Sequence, residues 1–398
     1  MRLSQRAASM APSPTLAMDA KAKAMRRQGI DVISFSVGEP DFDTPAHIRA
    51  AAAAAMEQGH TRYTPAGGIP ELKEVIQEKL ARVNGLEYTP DQIVVSVGAK
   101  HALYNAFQVL LDPGDEVIIP APYWVSYADQ VRLAGGEPVI VPTTEDTGFK
   151  LTAAQLRDHL TPRTRALVLN SPCNPTGAVY SRTELAALAE AVLAHPDCLI
   201  IADEIYEPFV YDGNEHVSIA SLSPEIKART LVINGVSKMY AMTGWRIGYA
   251  AGPKELIQAM ADLQSQSTSN PTSISQWAAV AALRGSQEPV GEMVAAFRKR
   301  RDLIVEGLRA LPGVTCQVPP GAFYVFPRVD AAFGKRYGDQ VINNSQELAM
   351  ALLNEAHVAL VPGSAFGYEG YLRLSYAANE NQIRAGLERI ANFWRALA

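Results

Sequence analysis

The stretch that decides the fold is Cys198-Leu199-Ile200-Ile201-Ala202-Asp203, which is apolar up to its final aspartate. Similar short apolar runs occupy residues 93–97, 116–120, 166–170 and 230–234. Runs that are apolar throughout, rather than alternating, are typical of parallel strands covered by helices on both faces. Helical patterns separate them, so the order predicts an α/β domain with a mostly parallel sheet over residues 48–285.

The two ends of the chain follow a different pattern. A helical segment near 286–311, β-rich runs at 322–326 and 371–376, and a closing helix from about 380 predict a smaller α+β domain over 286–398. We expect residues 1–47 to pack against this smaller domain.

Composition limits the class of protein. The 398 residues carry 36 Lys and Arg against 41 Asp and Glu, a formal charge of −5, which disfavours a nucleic-acid partner. The basic run Arg298-Lys299-Arg300-Arg301 is predicted to be a solvated helix face. Without an apolar run of about 18 residues, no membrane span is expected, and the start of the chain lacks the apolar stretch of a signal peptide. The three cysteines form no Cys-x-x-Cys pair, so we expect no disulfide framework, no metal site and a cytoplasmic location.

A lysine motif follows the apolar run at 230–234. The segment 235–248 contains Lys238 among glycines and small residues, together with Ser237 and Arg246. A lysine leaving a sheet at its carboxyl edge lies where open α/β sheets bind ligands, and a hydroxyl with a permanent cation suits a phosphate. Taken alone, a lysine after a strand is more often a surface lysine than a ligand-binding one.

Three other junctions could contribute to the same edge. Asp203 ends a buried strand, where a carboxylate needs a cationic partner unless it caps a helix. The Asn-Pro-Thr-Gly run at 174–177 is ordinary turn chemistry when read alone. The segment 96–100, Ser-Val-Gly-Ala-Lys, enters a helix start that can bind an anion, as can other strand–helix junctions.

Together these runs resemble the fold type I pyridoxal-5'-phosphate (PLP) enzymes, specifically the class I aminotransferases, over essentially the whole chain. The lysine run, the Asn-Pro-Thr-Gly run and the Asp-Glu-Ile-Tyr run at 203–206 occur in the family's order and approximate spacing. Segment 36–45, Ser-Val-Gly-Glu-Pro-Asp-Phe-Asp-Thr-Pro, is similar to the bacterial aspartate aminotransferase branch. The resemblance implies a PLP cofactor, amino acid and 2-oxo acid substrates, and a homodimer with shared active sites.

The resemblance also implies a role for each matching residue. Lys238 would carry the cofactor as a Schiff base and then act as the catalytic base, and Asp203 would pair with the pyridine nitrogen. The ring's phenolic oxygen would be bound by Tyr206 and Asn174. The remaining cofactor contacts would come from Gly98, Ala99, Lys100, Trp124, Ser237 and Arg246, and from Tyr63 of the neighbouring subunit. The substrate would be bound by Gly38, Lys100, Trp124, Asn174 and Arg373.

The sequence pattern alone also singles out Arg373 as a candidate ligand-binding residue. It is the only charged residue in the run 371–376, and a planar guanidinium suits a two-point grip on a carboxylate. A surface strand with one outward arginine is the alternative.

The expected reaction is ping-pong transfer of an amino group from L-aspartate to 2-oxoglutarate. Lys100 would bind the distal carboxylate, unless it simply faces solvent. Members of the branch that also accept prephenate often carry a basic residue in the N-terminal segment, where this chain has Ala11, so aspartate activity should exceed prephenate activity. Other aminotransferase substrates, a PLP-dependent β-lyase on the same fold, and a non-catalytic PLP-binding regulatory domain remain alternatives. A nicotinamide dehydrogenase is disfavoured because no Gly-x-Gly-x-x-Gly follows an early strand.

Overall fold

A computed structural model describes residues 2–4, 10 and 14–398 of the chain. Ala11, on which the expectation about prephenate rests, lies outside the described residues. Among those described, no helix combines the length and the apolar character needed to cross a membrane.

The described helices and strands alternate through most of the chain. The first half contains α1 (Pro14–Arg27), β1 (Ile33–Ser34), α2 (Ala46–Glu57), α3 (Pro70–Asn84), β2 (Ile93–Ser96), α4 (Ala99–Leu110), β3 (Glu116–Ala121), α5 (Ser126–Leu133), β4 (Glu137–Pro142), α6 (Ala153–His159), β5 (Thr164–Asn170), α7 (Arg182–Leu193) and β6 (Leu199–Asp203). The second half contains α8 (Pro224–Lys227), β7 (Thr230–Gly235), β8 (Gly248–Ala251), α9 (Lys254–Ser267), α10 (Ser273–Arg284), α11 (Glu288–Arg309), β9 (Tyr324–Val325), β10 (Arg336–Tyr337), β11 (Gln340–Val341), α12 (Ser345–Glu355), β12 (Val358–Ala359), β13 (Val361–Pro362), β14 (Leu372–Ser375) and α13 (Glu380–Arg395).

The large sheet has the order β2-β8-β7-β6-β5-β3-β4 among the described strands. Its pairs from β7 to β4 are parallel, whereas β8 is antiparallel to both β7 and β2. Because β2 is antiparallel to β8, it runs in the same direction as β7. The carboxyl ends of β2, β3, β5, β6 and β7 therefore lie along one edge of the sheet, and this edge holds the site described below.

Buried apolar side chains hold the large sheet between its helices. Clusters of buried residues cover both faces of the large sheet, one of them built around Val95 and Val232 and another around Val168 and Ile201. The predicted α/β fold with a mostly parallel sheet is confirmed. Strands β4 and β8 were not among the predicted runs.

The carboxyl-terminal part forms a second core. Strands β13, β14 and β9 make an antiparallel sheet, and α11 and α13 pack against one another. The amino-terminal segment joins this core, since β1 pairs in parallel with β12 and Phe35 is fully buried there. These contacts favour the division at residues 47 and 285, which stays a prediction.

The expectation for the basic run at 298–301 is partly wrong. Arg300 and Arg301 are buried rather than solvated. A nitrogen of Arg300 lies 2.6 Å from Asp41 Oδ1, and one of Arg301 lies 2.5 Å from Asp212 Oδ2. Each buried guanidinium thus has a carboxylate partner from a distant segment, which a charge pattern along one helix cannot reveal.

Candidate active site

A cavity of about 350 Å³ opens at the carboxyl edge of the large sheet. Its walls include most of the predicted site residues: Ala99, Lys100, Trp124, Asn174, Asp203, Tyr206, Ser237, Lys238 and Arg246. They follow different strands and come together because those strands end at the same edge. Residues that the sequence did not single out complete the walls: Leu16, Leu103, Tyr127, Asn170, Ile205 and Thr243.

Lys238 lies in the turn beyond β7 and points its amine towards the amino-terminal segment. Its Nζ donates a hydrogen bond of 2.5 Å to the carbonyl oxygen of Gly38. Burial lowers the pKa of Lys238 to about 8, although the Glu39 carboxylate acts in the opposite direction. A larger fraction of this amine is therefore neutral near pH 7 than for an ordinary lysine, which makes it a better nucleophile and base.

Asp203 is a buried carboxylate at the end of β6. Tyr127 donates its hydroxyl to Asp203 Oδ2 at 2.6 Å, and the backbone N–H of Ile205 donates to Oδ1 at 3.3 Å. No ion pair involves Asp203 among the residues described, and burial raises its pKa to about 6. A cation entering the cavity would therefore satisfy this carboxylate.

Arg373 is also buried, so the alternative of an outward-facing strand arginine is wrong. Its guanidinium donates to Asn174 Oδ1 at 3.1 Å and to the carbonyl oxygen of Ser36 at 2.5 Å. Its Nε has no hydrogen-bond partner among the described residues. The guanidinium is thus fixed in orientation while its Nε–H remains available for a ligand.

A network of amides connects the two charged groups. Asn170 donates its amide to the carbonyl oxygen of Asp203 at 2.9 Å and accepts the backbone N–H of Asn174 at 2.8 Å. Asn174 in turn accepts from Arg373. The Asn-Pro-Thr-Gly run is therefore more than a surface turn, because Asn174 is buried beside the cavity.

Gly98 and Arg246 form a corner of the cavity at the start of α4. Gly98 has a φ of 84°, and a Cβ there would lie 2.4 Å from a guanidinium nitrogen of Arg246. The guanidinium donates to the carbonyl oxygens of Thr243 at 2.9 Å and Val97 at 3.3 Å. Together with the amino-terminal end of α4, which begins at Ala99, this corner suits an anionic group.

Lys100 and Trp124 contact each other in the cavity wall. The Nζ of Lys100 lies 4.9 Å from the centre of the Trp124 ring, and the ring is edge-on to Tyr127. Desolvation by the surrounding protein, with the Arg246 charge, lowers the pKa of Lys100. Lys100 is solvent-accessible, yet it faces the cavity rather than only bulk water.

Four predicted residues are not among those that line the cavity: Gly98 and Arg373, described above, and Gly38 and Tyr63. Gly38 takes part through its backbone carbonyl, which binds Lys238. Tyr63 is 91 % exposed and lies with Thr64, Ser265 and Asn270 at a separate surface cavity. Within one chain it contributes nothing to the site.

Sequence reasoning missed Tyr127 and Tyr324. Tyr127 binds Asp203, and Tyr324 places its hydroxyl oxygen 2.7 Å from that of Tyr206. The available signal was a tyrosine inside an apolar pattern, since a buried hydroxyl usually finds a partner. Which partner it finds depends on pairs of residues far apart in the chain.

A second buried cluster lies close behind the cavity. The Nζ of Lys79 is 2.5 Å from Glu207 Oε2, which also accepts from Asn234 at 2.6 Å, and His216 lies 3.2 Å from Glu204. The ligand atoms of both glutamates and His216 are close enough to share a metal ion. Although burial acts against it, Glu207 raises the pKa of Lys79, so the ammonium already supplies the neutralising cation. The cluster is a paired charge network.

Known proteins share the sequence and the fold of this chain. The family model "Aminotransferase class I and II" matches residues 30–390. The chain is 56% identical to an aspartate aminotransferase of Geobacillus stearothermophilus over 100% of both chains. It is 52% identical to an aspartate/prephenate aminotransferase of Cereibacter sphaeroides, covering 100% of this chain and 99% of the relative. It superimposes on an aspartate aminotransferase crystal structure from Rhizobium meliloti with a TM-score of 0.96 and 49% identity, covering 100% of both chains.

The first prediction concerns Asp203 in protein freed of any cofactor. Its pKa rises from 3.8 to about 6 on folding, so ionisation costs stability. That cost is absent below the unfolded pKa, grows between about pH 4 and 6, and is complete above the folded pKa. Asp203→Asn should therefore raise the free energy of unfolding by about 2 to 3 kcal/mol near pH 7. Urea unfolding at both ends of this range measures the difference.

Asp146→Asn is the matched control, because Asp146 is exposed and its replacement should have little effect at either pH. Equal stability of Asp203→Asn and the parent near pH 7 would contradict the prediction and mean that Tyr127 already satisfies the carboxylate.

Proposed function

The chain belongs to the class I and II aminotransferases, and from this premise we propose that it transfers the amino group of L-aspartate to 2-oxoglutarate, with PLP attached to Lys238. The observation that carries the proposal is one cavity lined by a lysine of lowered pKa and a buried carboxylate without an ion-pair partner among the described residues. The full-length identity to aspartate aminotransferases supports the choice of substrates.

The residues present fit PLP. A protonated pyridine nitrogen is the cation that Asp203 lacks, and a phosphate suits the corner formed by Gly98, Ala99 and Arg246. The missing Cβ of Gly98 leaves room for the Arg246 guanidinium at this corner. Ser237 supplies a buried hydroxyl on the same wall, and the Trp124 ring offers a stacking face.

When bound, PLP withdraws electrons from the substrate's α-carbon, so that its hydrogen can leave as a proton, and carries the amino group between the two substrates. Lys238 Nζ would attach the cofactor to the protein in the absence of substrate. As a neutral amine, the same nitrogen would serve as the base that accepts the proton of the substrate's α-carbon and donates it again. Its lowered pKa makes it neutral in a useful fraction of molecules at neutral pH.

The surrounding residues would orient the substrate and the cofactor relative to each other. Asp203 would keep a positive charge on the ring nitrogen, where electron withdrawal needs it. Tyr206 and Asn174 would bind the phenolic oxygen, and Arg373 with Gly38 would hold the α-carboxylate that every amino acid carries. The Nε of Arg373, unpartnered among the described residues, is a donor available to that carboxylate.

A β-lyase is the closest alternative, because Lys238 and Asp203 would serve both chemistries equally. Release of pyruvate or ammonia from an amino acid without a 2-oxo acid acceptor would favour the lyase. A regulatory domain that binds PLP without turnover would show the cofactor's absorbance but no exchange of amino groups. The long identity to named aminotransferases favours transamination over both.

The assembly we propose is a homodimer in which Tyr63 reaches the neighbouring subunit's cofactor. Its 91 % exposed side chain is available for such a contact. A two-fold dimer would then build two equivalent composite sites. We propose the cytoplasm as the compartment, from the sequence argument on the three cysteines, all of which are buried and free.

The second prediction tests the role of Lys238. Lys238→Ala should lower turnover of aspartate with 2-oxoglutarate by at least about a thousandfold, because the link and the base are lost together. PLP should still bind, since Asp203 and the phosphate corner remain, but without a covalent bond. Steady-state rates and mass spectrometry after borohydride reduction measure the two effects. A variant with near-parental rates would refute the assignment.

The third prediction tests the shared sites. Lys238→Ala and Tyr63→Phe subunits, mixed and reassociated, should form hybrid dimers with one site lacking both residues and one intact site. The activity of the mixture should therefore rise above that of either variant alone. Each hybrid dimer should approach half the activity of the unmodified dimer, because one of its two sites is intact. Dimers of Lys238→Ala alone are the control for baseline. A fully active monomer in sedimentation, or hybrids no more active than the parents, would contradict the arrangement.

The fourth prediction concerns substrate choice. If Lys100 binds the distal carboxylate, Lys100→Ala should lower kcat/KM for aspartate relative to alanine by about 10- to 100-fold, the range for one lost charged hydrogen bond. Gln258→Ala, an exposed change on α9, is a control that should leave the ratio unchanged. Initial rates with aspartate, alanine, phenylalanine and prephenate systems also test the ranking, which fails if alanine outruns aspartate.

A further inference from the structure

Tyr206 and Tyr324 form a buried pair of hydroxyls next to the cavity. Their oxygens are 2.7 Å apart, and either atom could be the donor in the protein alone. Tyr206 follows β6, whereas Tyr324 lies in β9, which pairs with the strand carrying Arg373. Both side chains are at least 95 % buried, so water cannot easily replace either partner.

We propose that Tyr324 is a positioning residue that donates its hydroxyl hydrogen to Tyr206 and so directs the hydroxyl of Tyr206 at the cofactor's phenolic oxygen. The inference rests on the proposed function, which gives Tyr206 its contact with the cofactor. The new elements are Tyr324 as the partner of Tyr206 and the assignment of donor and acceptor in the two hydrogen bonds.

The direction follows from counting hydrogens. A tyrosine hydroxyl has one hydrogen to donate, and an ionised phenolic oxygen can only accept. Tyr206 must therefore give its hydrogen to the cofactor, which leaves its oxygen as the acceptor for Tyr324. Burial raises the pKa of both tyrosines, so both hydroxyls keep their hydrogens across the working range.

Donation from Tyr324 makes Tyr206 a stronger donor, because successive hydrogen bonds polarise one another. A stronger donor stabilises negative charge on the phenolic oxygen. With its negative charge stabilised by Tyr206, that oxygen gives less stabilisation to the protonated form of the nitrogen that joins Lys238 to the cofactor. Tyr324 should thus lower the pH at which this nitrogen loses its proton.

The neighbours of Tyr324 fix its position. A Cβ on Gly38 would lie 2.2 Å from the Tyr324 hydroxyl oxygen, so Gly38 leaves the space that this hydroxyl occupies. The guanidinium carbon of Arg373 lies 4.7 Å from the centre of the Tyr324 ring. The ring therefore supports the carboxylate-binding arginine while the hydroxyl serves Tyr206.

The test is a pH titration of the absorbance of PLP-loaded protein without substrate. Tyr324→Phe removes the hydroxyl and keeps the ring, and should raise the midpoint by about half a pH unit. It should lower kcat about threefold to tenfold with little change in KM for aspartate. Tyr324→Leu also removes the ring beside Arg373, so its KM should rise as well, by about tenfold.

Tyr376→Phe is the matched control. Tyr376 is equally buried, lies at the end of the strand that pairs with β9, and donates its hydroxyl to the carbonyl oxygen of Ala322. Its loss should affect stability without moving the titration midpoint. A second route uses Gly38→Ala, which keeps Tyr324 but displaces its hydroxyl, and should also raise the midpoint.

The outcomes separate the two levels of inference. An unchanged or lowered midpoint in both Tyr324→Phe and Gly38→Ala overturns the role of Tyr324. The same shift in Tyr376→Phe also overturns it, because general loosening of the core would then explain the effect. If unmodified protein mixed with PLP shows no absorbance from a lysine-bound cofactor, the proposed function itself fails.

Discussion

The structure depends on a carboxylate that the protein buries without an internal counter-ion among its described residues. Asp203 ends a strand in the middle of the large sheet, and two neutral donors hold its oxygens. Burying such a group is unfavourable, as its raised pKa shows. A cationic ligand in the cavity would offset this cost, because the buried carboxylate would then pair with the ligand's charge.

The sheet determines where that ligand must lie. Six strands of the large sheet run in the same direction and end at one edge, and five of them, β2, β3, β5, β6 and β7, supply polar groups at their ends or in the segments that follow. These five strands were predictable because they are apolar on both faces, a pattern that few other elements share. Strand β4 contains two prolines, and β8 is a short run of glycine, alanine and tyrosine, so neither has the same signature.

The site was predictable where local sequence carries the chemistry and unpredictable where tertiary contacts do. Lys238, Asp203 and Asn174 lie in distinctive runs directly after strands. The partners of Asp203 and Tyr206 are Tyr127 and Tyr324, separated from them by 76 and 118 residues. Nothing in a single sequence pairs residues at such distances, and the same limit explains why Arg300 and Arg301 were expected to be solvated.

The position of Arg373 shows how the two cores cooperate. It lies in a strand of the smaller sheet, yet its hydrogen bonds reach Asn174, which follows β5 of the large sheet, and Ser36 in the amino-terminal segment. Tyr324 supports its guanidinium from the smaller sheet and touches Tyr206 beyond β6. A shift of one core against the other would disturb both contacts at once. The positions of the Arg373 guanidinium and the Tyr206 hydroxyl are therefore coupled, so a ligand that bound both would favour one relative placement of the cores.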